Sequence, residues 1–439
     1  MCPPGSGSKD RIVTDEPTRR AIDAVWRIES PRLIAGLTRM VRDIGTAEEL
    51  AQDALVAAME QWPDAGVPRN PGAWLMLTAK RRAIDLLRRN ETYARKLQIV
   101  GHELETEQRI QDTVPGGVDP ARAIEDDLLR MVFTACHPAL SREARVAITL
   151  RLLGGLTTDE IARAFLVPES TVAQRIVRAK RTIATKQIPY EVPHGAELAE
   201  RLTSVLEVVY LIFNEGYAAT SGADWMRLDL CEDALRLGRV IAGLMPDEPE
   251  VHGLVALLEL QASRSRARTG SANTPIMLLD QDRSRWDQLL IHRGLAALAR
   301  SGALSRARGV AAGPYALQAG IAATHAMART PEKTDWIRIA GLYAVLANRA
   351  PSPVVELNRA VAVAMAYGPA AGLELADTLA ASGALNGYHL LPSVRGHLLA
   401  ELGRNAEART ELEQAAALTG NGAERALLLE RATAVDPNS

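Results

Sequence analysis

The chain has 439 residues, 47% hydrophobic and 24% charged, a composition of folded domains and not of a disordered polymer; at roughly 150 residues per domain there is room for about three. Aromatic residues are few (3 Phe, 6 Trp, 8 Tyr) while Ala, Leu and Arg abound, which favours helices and makes an all-β or doubly wound fold untenable. The 51 basic and 53 acidic residues nearly cancel, but Met1 to Lys186 holds 28 basic and 25 acidic residues and the remainder 23 and 28, so a basic half precedes an acidic one.

Residues 1–17 show no periodicity and are expected to form a flexible N-terminus. Helical periodicity begins near Thr18 and holds to about Arg89. Within it, Thr46 to Met59 (TAEELAQDALVAAM) reads as an amphipathic helix with Leu50, Ala54, Ala57 and Ala58 inward and Glu48, Glu49, Gln52 and Asp53 outward. Trp62 to Gly72 (WPDAGVPRNPG) holds three prolines and two glycines and is expected to interrupt the helices as a stiff loop. Pro71 to Arg89 (PGAWLMLTAKRRAIDLLRR) is then a helix made strongly positive by Lys80, Arg81, Arg82, Arg88 and Arg89. Asn90 to Asp119 is polar and weakly periodic, which fits a linker. These boundaries predict a first helical domain over 18–90, a linker over 91–123 and a second small helical domain over 124–187.

That second domain carries the sharpest local signal. Leu156 to Ala184 (LTTDEIARAFLVPESTVAQRIVRAKRTIA) reads as a helix, a tight turn at Val167-Pro168-Glu169 and a second helix. Thr157 or Thr158 can cap the first helix, with Asp159 and Glu160 in its first turn. On the second, Val172, Ile176, Ala179 and Ile183 share one stripe that must face a core. Opposite them stand Ser170, Gln174, Val177, Arg178 and Arg181, as a recognition helix in the major groove requires: Arg grips guanine, Gln reads adenine, and an apolar side chain touches a thymine methyl. Arg175 and Lys180 flank that stripe, where phosphates would lie. Ser141 to Gln187 holds 9 basic and 4 acidic residues, which favours a helix-turn-helix over an ordinary αα-hairpin with a solvated face.

Ile188 to His194 (IPYEVPH), with two prolines, marks a further boundary. Beyond it the chain reads as a helical extension over 188–300 followed by serial helix pairs over 301–439. The best pair, within His397 to Leu418, is divided at Gly403-Arg404-Asn405; others fall around Pro314 to Ala347 and Pro353 to Asp377. A period near 34 residues would be tetratricopeptide-like. The expected fold class is all-α: two small helical DNA-binding domains, the second a helix-turn-helix, and a C-terminal helical-repeat domain.

The succession AEELAQDALVAAM, AWLMLTAKRRAIDLLRR and LTTDEIARAFLVPESTVAQRIVRAKR resembles regions 2 and 4 of an extracytoplasmic-function (ECF) sigma factor of bacterial RNA polymerase, over about Thr18 to Lys186. The continuation resembles the group of that family with a long tetratricopeptide-like C-terminal extension, through FTACHP (133–138), FNEGY (213–217) and DQDRSRW (280–286). The resemblance implies a protein that is not itself an enzyme and has no catalytic residues or cofactor. It would lend promoter specificity to core RNA polymerase through contacts with the β′ clamp and β subunits. Glu49, Gln52 and Asp53 would dock on the β′ clamp. Trp74, Lys80, Arg81, Arg82 and Arg88 would engage the −10 element, the loop Ala65 to Pro71 helping to hold a flipped base and the basic side chains following the single strand. Ser170, Thr171, Gln174, Arg175, Val177, Arg178 and Arg181 would engage the −35 element. Arg81 stands where the family pattern commonly has Asn. The linker's acidic run Glu103 to Glu107 would either imitate RNA phosphates in the polymerase channels or merely solubilise the linker. The fused extension would regulate activity or bind a regulatory partner.

Two other functions fit parts of the chain: a one-component helix-turn-helix regulator with a helical-repeat sensor, which leaves the Trp74 to Arg89 block unexplained, and a repeat scaffold that contacts proteins only. Cys2, Cys136 and Cys231 are odd in number and widely spaced, supporting neither a disulfide framework nor a metal site. Cys136-His137 is expected to pack and turn the chain, and Asp280 to Trp286 to form inter-helix salt bridges around a packed Trp. Asn214 and Glu215 are read as structural polar groups. With no apolar run of about 18 residues and no signal-peptide core in MCPPGSGSKD, a cytoplasmic protein without a membrane partner is expected.

Overall fold

α-Helices and short 3-10 turns make up the regular structure of the computed structural model, which describes residues 16–89, 120–165, 167–217, 226–270 and 275–435; a lone bridge joins Thr269 to Pro275. The chain divides into two compact units, Met1–Val208 and Val209–Ser439.

In the first unit α1 (Glu16–Val41), α2 (Ile44–Ala65) and α3 (Pro71–Arg89) pack on one another. Leu33, Leu37, Ala51, Ala54, Ala58, Leu75 and Ala79 are buried among them, and the alanines let the helix backbones approach closely. Asp43 caps α2 by accepting from Thr46 N (2.7 Å), and Asn70 caps α3 by accepting from Ala73 N (3.1 Å). The expected loop from Trp62 is shorter than the prolines suggested, because α2 continues through Pro63 to Ala65. Pro63 lies in the last turn and forgoes the bond to the Met59 carbonyl, while buried Trp62 anchors that turn edge-on against Trp74, ring centroids 5.3 Å apart.

The rest of this unit is α4 (Pro120–Ala135), α5 (Arg142–Leu152), α6 (Thr158–Phe165) and α7 (Glu169–Thr185). α4 is helical from Pro120, four residues before the Ile124 read from periodicity, and α1 from Glu16, within two residues of Thr18. The expected N-terminal tail up to residue 15 and the linker segment 90–119, with its acidic run, lie outside the described residues. α8 (Gly195–Tyr217) begins in the first unit and ends in the second. Its N-terminal half packs on α4 and α5: Ser204 Oγ donates to the Cys136 carbonyl (2.6 Å), Arg201 to the Phe133 carbonyl (3.0 Å), and Glu207 accepts from Arg142 (2.7 Å) and Arg145 (3.2 Å).

In the second unit α9 (Leu228–Leu244) and α10 (Pro249–Ala262) precede three 3-10 turns, and α11 (Gln288–Ala307) packs back on α10. Gly216, at the end of α8, is required by close approach, since a Cβ there would lie 2.8 Å from the Arg227 carbonyl oxygen. Antiparallel pairs follow: α12 (Pro314–Met327) with α13 (Trp336–Arg349), α14 (Pro353–Tyr367) with α15 (Pro369–Ser382), and α16 (Leu390–Glu401) with α17 (Asn405–Leu418), closed by α18 (Gly422–Ala434). Each helix packs on its sequence neighbours, as in a solenoid. Pairs start at Pro314, Pro353 and Leu390, an uneven spacing near the roughly 34 residues of a tetratricopeptide repeat. Among the described residues no helix is long and apolar enough to cross a membrane.

Candidate nucleic-acid interface

The α6–turn–α7 motif is locally determined. Thr157 Oγ1 accepts from Glu160 N (3.1 Å) while the Glu160 carboxylate accepts from Thr157 N (2.7 Å), a reciprocal capping box that starts α6. Val172, Ile176, Ala179 and Ile183 are the buried residues of α7, as their spacing requires. Ser170, Gln174, Val177, Arg178 and Arg181 are exposed, with Val177 at 63%; Thr171 and Arg175 are half-buried on the flanks. An apolar side chain so exposed beside two arginines and an amide is what base-edge recognition uses.

On α3, Leu77, Arg81, Ile84 and Arg88 recur at i, i+4, i+7 and i+11 and all are exposed, Leu77 at 51%. Lys80 is exposed beside them, and Trp74 is half-buried. Leu77 and Ile84 were missed by a reading that counted charge alone; their signal was apolar residues on the basic stripe of a helix whose other face already supplies the core. Arg82 stands at the edge of the group and pairs with Asp53 of α2 at 3.2 Å.

On α2, Glu49, Asp53, Val56 and Glu60 form an exposed stripe, and half-buried Gln52 donates to Glu48 (3.2 Å). Glu48, expected outward, is the exception: it is 5% exposed. Its carboxylate lies 2.6 Å from Arg151 Nε of α5 and 2.5 Å from Lys180 Nζ of α7. Burial alone would push its pKa up, but Lys180 and Arg151 hold it below the ordinary carboxylate value. Lys180, expected on phosphate, is thus engaged by a buried acid. A carboxylate bracketed by cations so far along the chain leaves no local signal in sequence.

Further contacts close the same joint. Arg39 of α1 pairs with Asp127 of α4 (3.1 Å), which also takes Arg130 (2.7 Å). Burial is the largest influence on Asp127, raising its pKa despite both arginines. The Tyr190 hydroxyl donates to the Asp127 carbonyl (2.8 Å) and lies 2.9 Å from that of Ala35. Arg27 of α1 pairs with Glu160 (3.0 Å). Gly155 (φ +69°) brings the α5–α6 turn against α1, where a Cβ would already meet Ser30 Oγ at 3.3 Å. The helices α1–α3 are therefore clasped to α4–α7, with Glu48 at the centre.

The remaining motifs are held by contacts within their own surroundings. Cys136 is buried with Sγ 3.4 Å from Thr149 Oγ1, and His137 Nδ1 accepts from Ala139 N (3.0 Å), turning the chain after α4. Glu215 pairs with Arg227. Among the described residues Asp280 to Trp286 forms no close salt bridge, though Glu332 acts on Arg283 and Asp280 on Arg431 from farther away; Arg283 donates to the carbonyls of His325 (2.9 Å) and Ala328 (2.6 Å) and to the Thr334 hydroxyl (3.0 Å), while Asp282 caps its own turn by accepting from Ser284 N (2.9 Å). Among the described residues no cluster of His, Cys, Asp and Glu could hold a metal ion.

Comparison with known proteins places this geometry. Residues 26–93 match Sigma-70 region 2, residues 130–183 match Sigma-70, region 4, and residues 201–302 match a family of unknown function, DUF6596. An uncharacterized protein of Rhizobium meliloti (strain 1021) is 41% identical over 409 residues, 93% of this chain and 94% of its own length. The probable ECF RNA polymerase sigma factor SigI of Mycobacterium tuberculosis is 28% identical over 170 residues, 38% of this chain and 56% of that protein. The ECF RNA polymerase sigma factor SigK of the same species is 29% identical over 161 residues, 35% of this chain and 78% of that protein. No solved structure matches the chain.

Proposed function

Because the chain belongs to the ECF sigma factors, in the group with a long C-terminal extension, we propose that it binds core RNA polymerase in the cytoplasm, recognises the −35 and −10 elements of a promoter and promotes its opening. The observation that carries this reading is the exposed Ser170–Gln174–Val177–Arg178–Arg181 face of α7, presented by a capped helix-turn-helix downstream of a region 2 match. Arg178 and Gln174 would read base edges and Arg175 a phosphate. On α3, Lys80, Arg81 and Arg88 would follow the melted strand while Leu77, Ile84 and Trp74 offer surfaces for unstacked bases. The stripe Glu49, Asp53, Val56 and Glu60, with Gln52 at its edge, would meet the β′ clamp. A one-component regulator leaves this region without a task.

The clasp sets a condition on that activity. Promoter elements centred about 25 base pairs apart span roughly 85 Å of duplex at ~3.4 Å per pair, whereas Glu48 and Lys180 are in contact. Both elements cannot be engaged with that pair intact, so the clasped form precedes binding and opens on polymerase. The extension, with its acidic surplus, is proposed as a fused regulator.

Run-off transcription on a promoter selected from a random library tests the reading: transcripts should require both the chain and core polymerase. A chain that fails to bind the core, or binds without opening any template, ends it. Truncation after Tyr217, which retains the α8 contacts to Phe133, Cys136 and Arg145, tests the regulator; unchanged transcription under all conditions would remove that role.

A further inference from the structure

The second unit contains a pocket that the proposed promoter recognition does not use. Its volume is about 140 Å³, close to the roughly 150 Å³ of a cavity that accepts benzene. Leu257 and Ile321 supply apolar wall. The polar lining is phenol and carboxamide, including Tyr210, Tyr343, Gln261 and Asn214, with no charged side chain among the described residues that line it. Burial pushes the Tyr343 hydroxyl up to about 12 and raises that of Tyr210, so both stay protonated and able to donate.

Behind this neutral lining stands a concentration of positive charge. Arg264 donates to Gln261 Oε1, and its guanidinium carbon lies 5.9 Å from the ring centroid of Tyr217, which also lines the pocket, and 5.8 Å from that of Trp286. Arg268 sits 3.6 Å over Tyr217 and Arg283 5.1 Å over Trp286. Among the described residues no carboxylate lies within 4 Å of the guanidinium of Arg264 or Arg283, and Glu332 offsets Arg283 only from farther away. The charges press on one another: after burial, Arg264 contributes to lowering Arg283, and Arg264 and Arg283 together to lowering His325. With Arg264 holding one lone pair of its oxygen, Gln261 is oriented and keeps its N–H groups for a ligand. The two motifs that promoter binding leaves idle, FNEGY and DQDRSRW, thus supply Asn214, Tyr217, Arg283 and Trp286 to one locality.

We propose that this pocket binds a small monocarboxylate, with a body no larger than a benzene ring against Leu257 and Ile321 and its carboxylate toward Gln261 and Tyr343, where Arg264 neutralises it. A neutral ligand would leave Arg264 uncompensated, and a dianionic phosphate would require further cations in the wall itself. The same chemistry is offered by a free organic acid or by an acidic side chain of a protein partner.

Calorimetric titration of the full chain at constant ionic strength, with benzoate, its neutral isostere benzamide and the peptide acetyl-Ala-Glu-Ala-amide, tests the assignment. Saturable binding of benzoate or the acidic peptide is expected, with benzamide at least tenfold weaker; benzoate alone identifies a free acid as the source, the peptide alone a protein side chain. Arg264→Gln should weaken the bound carboxylate tenfold or more, Tyr343→Phe severalfold, while Arg264→Lys retains part of the affinity and controls for folding. No saturable binding of either carboxylate, equal binding of benzamide, or indifference to Arg264→Gln in a chain that melts as the parent does would overturn it.

Discussion

The carboxylate of Glu48 and the ammonium of Lys180 meet at 2.5 Å across the joint between α1–α3 and α4–α7, and the acid is almost wholly buried there. Removing the acid leaves Lys180 and Arg151 facing a desolvated gap. Glu48→Ala is expected to destabilise the first unit by about 3 kcal/mol, the low end for a broken buried pair because Lys180 and Arg151 keep partial access to water. Urea unfolding followed by circular dichroism checks this. A variant as stable as the parent would show that the pair contributes nothing net.

The same contact predicts a gain of reach. Fluorophores placed on α3 and α7 should report a short separation in the free chain and a longer one on core polymerase, and Lys180→Met should shift the free chain toward the longer separation. Energy transfer that is identical free and bound would contradict the need for opening.

On α7, Arg178→Ala is expected to cost about 1–3 kcal/mol of promoter affinity and to relax the base preference at one −35 position. Lys80→Ala on α3, proposed to contact the DNA backbone, should instead weaken binding evenly across promoter sequences and reduce the slope of log affinity against log salt by about one unit. Filter binding of the polymerase holoenzyme at several salt concentrations separates the two. Exchanged behaviour, with Lys80 selective and Arg178 not, would reverse the assignment of the faces.

How far these faces were legible in the sequence depended on the range of the interactions that make them. The stripe Val172, Ile176, Ala179, Ile183 and its exposed counterpart follow from the helical period alone, and the Thr157–Glu160 box from a spacing of three, so α6 and α7 stand where the sequence places them. The division of the pair around Gly403 was equally local, since a positive φ of 74° at that turn suits glycine. Glu48 was misplaced because its two cations come from α5 and α7, distant in sequence, and a single-helix wheel assigns any carboxylate to water. Pro63 was overweighted for a related reason: the burial of Trp62 against Trp74 holds the last turn of α2 together, and that contact crosses the loop. Arg283 was read as an ion-pairing residue, whereas its donors serve carbonyls left over at the end of α12.

The two described cysteines should be chemically silent. Burial pushes the Cys136 thiol up to about 11 and the Cys231 thiol up to about 12, and both side chains are closed to solvent, so neither offers a thiolate to a reagent at pH 8. In a Cys2→Ser chain, Ellman's reagent is expected to release no chromophore within minutes and two equivalents once urea is added. Prompt release of one equivalent from the native chain would mean that α4 or α9 opens far more readily than its packing implies.

His325 gives the second unit a pH dependence of definite sign. Burial, then Arg264 and Arg283, lower its pKa to about 3 from 6.5, and the ring packs edge-on against Trp336 with centroids 5.1 Å apart. Between pH 6.5 and 3 the unfolded imidazole therefore binds a proton that the folded one refuses; the stabilisation is complete above pH 6.5 and is lost as the pH falls through that window. His325→Phe keeps an aromatic ring beside Trp336 and removes the titration. On lowering the pH from 7 to 5, the parent should lose about 2 kcal/mol more stability than the variant, at ~1.4 kcal/mol per pH unit below 6.5. Urea midpoints of the two full-length chains at both pH values measure that difference directly, and parallel shifts in the two would mean that His325 is protonated in the folded unit after all.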